Sequence, residues 1–280
     1  MWSMFAVLSG SFYTLQGLIT RHVLKGNKKD VWAFSFYFSA VGSLIAFPFF
    51  LTNFKVAHTW SYWILMMIVG LLIVAQNLLN FKSANHLPAS VGGAMTKFRL
   101  VWILILGVII LKEALTWQKT FGTVLAVLAG IIILNKAKKI GSVQGLILVF
   151  ASTIFYAVVI ILYKYLFQVF NSQSLTFFIF LIPMLINLLI MPNSINRIVT
   201  LAKTDGKFVF LACALGGFAN LAMNYALSIG EASRVLVIIE SFLIITLVGE
   251  HLVLKEKKHL AIKLIAVILA IMGAVLIRIG

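Results

Sequence analysis

Acid is what this sequence most lacks. Seven Asp and Glu face 23 Lys and Arg in 280 residues, and charged residues of all kinds make up only 11%. Soluble domains carry about 25% charged residues, so a water-exposed globular surface is excluded. Cysteine is nearly absent as well. Cys213 stands alone, which rules out an intramolecular disulfide and reads as a buried thiol in an apolar run. Only four prolines interrupt the chain, leaving room for long helices. The opening MWSMFAVLSGSFY has no basic n-region and no small-residue cleavage site, so it reads as a first span rather than a signal peptide. GxSxG, HExxH, Walker A and GxGxxG are all missing. The five histidines are scattered without metal-ligand spacing. Without a nucleophile, metal or cofactor constellation, an enzyme is not expected.

What is present is apolar: 62% hydrophobic residues and a mean hydropathy of +1.09. The runs approach the roughly 20 residues that cross a bilayer core of about 30 Å. Read between charged breaks, ten helices are predicted. They fall near 3–20, 32–51, 61–84, 89–111, 117–134, 143–163, 174–191, 207–227, 232–254 and 260–277. Pro88 opens the fourth span, while Pro48 and Pro183 fall inside spans, where kinks are expected. The formal charge of +16 would suggest nucleic acid in a soluble protein. Here most cations sit in short loops, so the lipid bilayer is the expected partner and nucleic acid is not.

The chain also repeats itself at an offset of 143. Ser9, Phe12 and Tyr13 match Ser152, Phe155 and Tyr156, and Asn77-Leu78 matches Asn220-Leu221. Ala89-Ser90 matches Ala232-Ser233, Leu111-Lys112-Glu113 matches Leu254-Lys255-Glu256, and Gly130 matches Gly273. Two five-helix halves, 1–139 and 140–280, follow. An odd number of helices per half inverts the second half in the membrane, an arrangement found in secondary transporters with a midplane substrate site. The fold class expected is therefore an all-α polytopic membrane protein with two inverted five-helix repeats.

This organisation resembles the drug/metabolite transporter superfamily, specifically its EamA-type members. The residues that carry the resemblance are Glu113 and Glu256 at the ends of the fourth and ninth helices. The stretch LKEALTWQKTFGTVLAVLAG adds Gln118, Gly122 and Gly130, and LKEKKHLAIKLIAVILAIMG keeps Gly273. Tyr13 with Arg21, and Tyr156 with Lys164, resemble the first-helix pattern of an aromatic followed by a cation. Lys112 and Lys255 stand where the family has Gly, and Leu100 and Leu243 where it often has Pro. The resemblance implies a carrier that moves a small metabolite, often outward, without ATP. The expected location is the cell membrane, of the bacterial inner-membrane type, as monomer or homodimer. A drug or lipophilic-cation exporter and a channel are the alternatives.

Several polar residues lie within the spans. Ser9, Tyr13, Gln16 and Thr20 share one face of the first helix, and Tyr156 repeats Tyr13 in the sixth. Gln76, Asn77 and Asn80 in the third helix answer Asn220 and Asn224 in the eighth. An unpaired amide in hydrocarbon costs several kcal/mol, so these groups must face protein or water. Either they line a substrate cavity or they join helices. Small residues (Gly122, Ala126 and Gly130; Ala266, Ala270 and Ala274) mark close packing faces within the monomer or in a dimer. Glu113 and Glu256 are expected to cap the helix that follows each of them, with a coupling role as the alternative.

Lys97 and Arg99 pose the sharpest question, because a cation at the bilayer centre costs about 2.5–3.5 kcal/mol on insertion scales. In a continuous helix from Ala89 they lie about 12 and about 15 Å along its axis. Two residues apart they point about 200° from one another, so they are expected to face different surroundings. Residue 97 plus 143 is Glu240, an acid inside the ninth span. The repeat therefore sets Lys97 against Glu240. Two readings follow: a buried pair that specifies how the halves meet, or a site in which Lys97 holds a substrate carboxylate while Glu240 holds its amine or a coupling proton. Coupling to a proton or to substrate antiport is expected in place of any cofactor. The candidate substrate contacts are Lys97, Glu240, Arg99, Tyr13, Gln16, Asn77, Asn80, Tyr156, Asn220 and Asn224.

Overall fold

The computed structural model describes residues 1–24, 30–84, 86, 87, 92, 95–136 and 142–242, with 265, 268, 269, 272, 273, 275 and 276. All regular structure among them is helical: α1 (Trp2–Leu24), α2 (Val31–Thr52), α3 (Trp60–Ala84), α4 (Phe98–Leu111), α5 (Trp117–Lys136), α6 (Val143–Leu166), α7 (Ser172–Ile190) and α8 (Ser194–Ile229). Residues 232–242 form the described part of α9. Most of the predicted tenth span, and Pro88, Ala89, Ser90, Lys255, Glu256, Ala266, Ala270 and Ala274, lie outside the described residues.

Polar side chains set the helix starts. Asp30 accepts from the Trp32 and Ala33 N–H to open α2, Ser142 from Gly145 to open α6, and Asn171 from Ser174 to open α7. Asn171 also donates to the Asn53 carbonyl at 2.6 Å, fixing the start of α7 to the end of α2. Pro48 and Pro183 lie inside helices that run through them. The break expected over 193–206 is instead mostly helix: α8 begins at Ser194 and continues through a kink at Asp205 (φ −134°, ψ 18°). The extra turns bring Asn196, Arg197, Thr200, Lys203 and Thr204 into the helix, and Arg197 ion-pairs with Asp30. Burial raises the Asp30 carboxyl, but hydrogen bonds from Arg197 and from the Ala33 and Trp32 N–H, with the guanidinium charge, outweigh it and hold the group below its usual range.

Helices of the first half pack chiefly on helices of the second. α1 lies on α8, α3 on α6 and α7, α2 on α7 and α8, and α4 on α6. α9 crosses α1 at Gly10, where a Cβ would come within 2.7 Å of the Phe242 Cβ, and Thr14 Oγ1 donates to the Phe242 carbonyl at 2.9 Å. Under the offset of 143, α1 corresponds to α6, α3 to α8 and α4 to α9, so these pairings are reciprocal. Glycine permits the closest approaches: a Cβ on Gly42 would meet the Phe180 ring at 2.5 Å, and one on Gly216 would meet Phe38 at 2.4 Å. The outer faces are apolar and exposed, as at Leu44, Phe47, Ile64, Met67, Leu71 and Phe210. α2, α3, α6, α7 and α8 are each long and apolar enough to cross a membrane.

Candidate functional site: a buried charge triad

The fourth helix is not continuous through Lys97. Thr96 and Lys97 form a turn, and the backbone ladder tightens there: Arg99 N–H bonds to the Thr96 carbonyl at 3.2 Å and Leu100 N–H to the Lys97 carbonyl at 3.0 Å. Both are three-residue spacings, a local change that often marks functional positions inside helices. Lys97 therefore caps α4 instead of sitting within it. At three residues per turn the two positions still point about 120° apart, so the expectation that they face different surroundings is corrected by side-chain reach: both cations extend to one acid.

Lys97 Nζ donates to Glu240 Oε2 at 2.8 Å and to the Glu240 carbonyl at 2.6 Å. Arg99 pairs through Nη2 with the other carboxylate oxygen, Oε1. Glu240 is 1% exposed and Lys97 4%. The Arg99 side chain keeps 16% and is the triad's most accessible member. Removing several charges from water is costly, and only close pairing with further hydrogen bonds offsets it. Here two cations share one acid, so the triad keeps a formal surplus of one positive charge.

Aromatic groups flank the guanidinium. Its carbon sits 4.5 Å from the centroid of the Tyr156 ring, a cation–π contact. Tyr13 is within electrostatic reach of Arg99, Tyr156 and Tyr163. The hydroxyls of Tyr13 and Tyr156 both point at Met223 Sδ, at 3.8 and 3.5 Å. The repeat-related tyrosines thus meet over one methionine of α8. Two buried donors on α4 one turn apart, Arg99 Nε and Trp102 Nε1, have no acceptor among the described residues.

The amides are more dispersed. Asn220 donates to the Gly216 carbonyl of its own helix, and Asn224 to Thr176 Oγ1 on α7. Asn77 is buried with its amide nitrogen unpartnered among the described residues. Gln16 and Asn80 are half-buried, and no side-chain hydrogen bond among the described residues joins them to the triad. The geometry gathers Lys97, Arg99, Glu240, Tyr156 and Tyr13, and leaves the amides on helix contacts around them. Met223, Tyr163 and Trp102 were not among the candidates. Tyr163 extends the stripe of Ser152 and Tyr156 along α6, which was a usable signal; Met223 carried none.

Glu113 does cap a helix, though not the next one. After α4 closes with Lys112 in the left-handed region (φ 55°), Glu113 turns to α9. Its Oε1 accepts from the Ala232 N–H at 2.9 Å and its Oε2 from Ser233 Oγ at 2.5 Å. Lys119, 1% exposed, bridges to Glu231 at 2.6 Å and donates to the Ala114 carbonyl. Lys164 lies inside α6, one residue beyond the expected helix end, and donates to the Leu227 and Gly230 carbonyls that finish α8. Glu113 and Lys119 of the first half, with Lys164 of the second, thus hold the α8–α9 junction.

Charges buried this deeply among helices with outer faces of Leu, Ile and Phe define a multi-pass all-α membrane protein. The chain belongs to the EamA-like transporter family, whose model matches residues 1–135 and again 143–279. An uncharacterized transporter of Archaeoglobus fulgidus is 25% identical over 171 residues, an alignment that spans 61% of this chain and 61% of that relative. A solved protein crystal structure superposes with a TM-score of 0.75 at 14% identity, covering 99% of this chain and 98% of its own. That likeness is one of fold.

Proposed function

We propose that this transporter is a secondary carrier that moves a small polar metabolite bearing a carboxylate outward across the cell membrane, by alternating access between halves 1–139 and 140–280. The observation that carries the reading is the Lys97–Glu240–Arg99 triad. It lies where helices of the two halves meet, it is desolvated, and it is one positive charge in excess. A buried site of that sign favours an anionic solute and disfavours a lipophilic cation. The reciprocal packing of α1 on α8 and α6 on α3 supports inverted halves around that junction. Transport is driven by a proton or by antiport of a second solute.

Efflux from a host that overexpresses the protein tests this. Loaded organic acids should leave faster than from cells expressing Glu240→Gln. Efflux or resistance confined to lipophilic cations would overturn the carboxylate assignment.

A further inference from the structure

Resting on that reading, we propose that Arg99 is the substrate anchor, that it takes a monoanionic carboxylate in exchange for Glu240 Oε1, and that the site selects anions over zwitterions. The division of labour between the two cations leads there. Lys97 is spent: its ammonium is buried and donates both to the carboxylate and to the backbone carbonyl of Glu240. Arg99 holds only the second carboxylate oxygen, retains accessible surface, and has an Nε without an acceptor among the described residues. A guanidinium offers five donors in a planar fork suited to bidentate carboxylate binding. An incoming carboxylate therefore occupies the Nε–Nη2 edge, displacing one contact, while Glu240 stays with Lys97 through Oε2. The Tyr156 ring against the guanidinium fixes its plane, and Trp102 Nε1, one turn along α4, supplies another donor without an acceptor among the described residues.

The charge count sets the preference. Two cations and one acid leave +1, and a monoanion brings the site to zero. A zwitterion leaves +1 in place and adds an ammonium that meets no unpaired acid among the described residues, since both oxygens of Glu240 already face cations. Selectivity thus comes from the ratio of two cations to one acid in the triad.

A four-compound series on one three-carbon skeleton separates the possibilities: lactate, alanine, lactamide and alaninamide, each titrated against the purified full chain and read as ligand-induced thermal stabilisation. Lactate should bind at least about tenfold more tightly than alanine, about 1.4 kcal/mol, and the amides should not stabilise. Arg99→Gln leaves the neutral Lys97–Glu240 pair, so it should fold yet lose lactate stabilisation. Arg99→Lys should keep part of it, because the charge remains without the fork. Equal or stronger stabilisation by alanine, no stabilisation by lactate, or full stabilisation of Arg99→Gln by lactate would overturn the proposal. The carrier reading fails separately: Arg99-dependent lactate binding without movement across a bilayer would leave the site standing and remove transport.

Discussion

Two cations on one acid make removal of the acid and removal of a cation unequal, and the inequality can be worked out. Glu240→Gln keeps the shape but leaves Lys97 and Arg99 as facing like charges in a nearly dry site. Breaking a buried ion pair by removing one partner costs about 3–5 kcal/mol, and here both cations lose their acid together. Lys97→Met does the opposite. It removes the surplus charge and leaves Glu240 paired with Arg99, so the loss is that of charge-assisted hydrogen bonds, about 1.5–3 kcal/mol, partly offset by one fewer buried charge. Glu240→Gln should therefore be the worst of the set by about 1–3 kcal/mol. SDS titration of the purified protein in mixed micelles, followed by circular dichroism, would report the order. Failure of Glu240→Gln to fold while Lys97→Met folds fits as well. A Lys97→Met variant as damaged as Glu240→Gln, or a neutral Glu240→Gln, would refute the charge arithmetic.

Three smaller predictions concern the scaffold. Glu113→Ala removes acceptors from Ala232 and Ser233 at the start of α9 and should cost about 1–2 kcal/mol of unfolding stability; an unchanged thermal midpoint would mean that the cap contributes nothing. Lys112 holds φ 55°, a conformation natural to Gly, so Lys112→Gly should stabilise by about 0.5–1 kcal/mol on the same assay, and a loss would show that the lysine side chain matters more than its backbone. Because Asp30 titrates lower when folded, its pairing with Arg197 stabilises the protein above the unfolded carboxyl value of about 3.9 and is lost as pH falls through the lower folded value. Acid melts should thus be steeper for the parent than for Asp30→Asn, and parallel curves would contradict the linkage.

Hydropathy and the offset of 143 carried much of the architecture: α1 to α3 and α5 to α7 begin and end close to the apolar runs, as do the ends of α4 and α8 and the start of α9, and the repeat set Lys97 against Glu240. What escaped was whatever depended on backbone detail or on partners far away in sequence. The turn at Thr96 and Lys97 carries no Gly or Pro, so nothing local announced that α4 starts at Phe98 and that Arg99 joins the same acid. The Asn193 to Gly206 stretch looked like a loop because its polar residues break an apolar run, whereas pairing of Arg197 with Asp30 accommodates a helix there. Glu113 was recognisable as a cap from its place between helices, but its target was not. The repeat held a hint, since Ala232-Ser233 is one of its matched pairs.

The central claim is carriage by alternating access through the charged junction, and counterflow tests it most directly. Full-length protein is reconstituted in liposomes preloaded with an unlabelled carboxylate, and entry of labelled carboxylate is followed. Uptake should be saturable, accelerated by solute on the far side and abolished by Arg99→Gln, which keeps the Lys97–Glu240 pair. Uptake that rises linearly with concentration, ignores the far side and persists in the variant would contradict the claim.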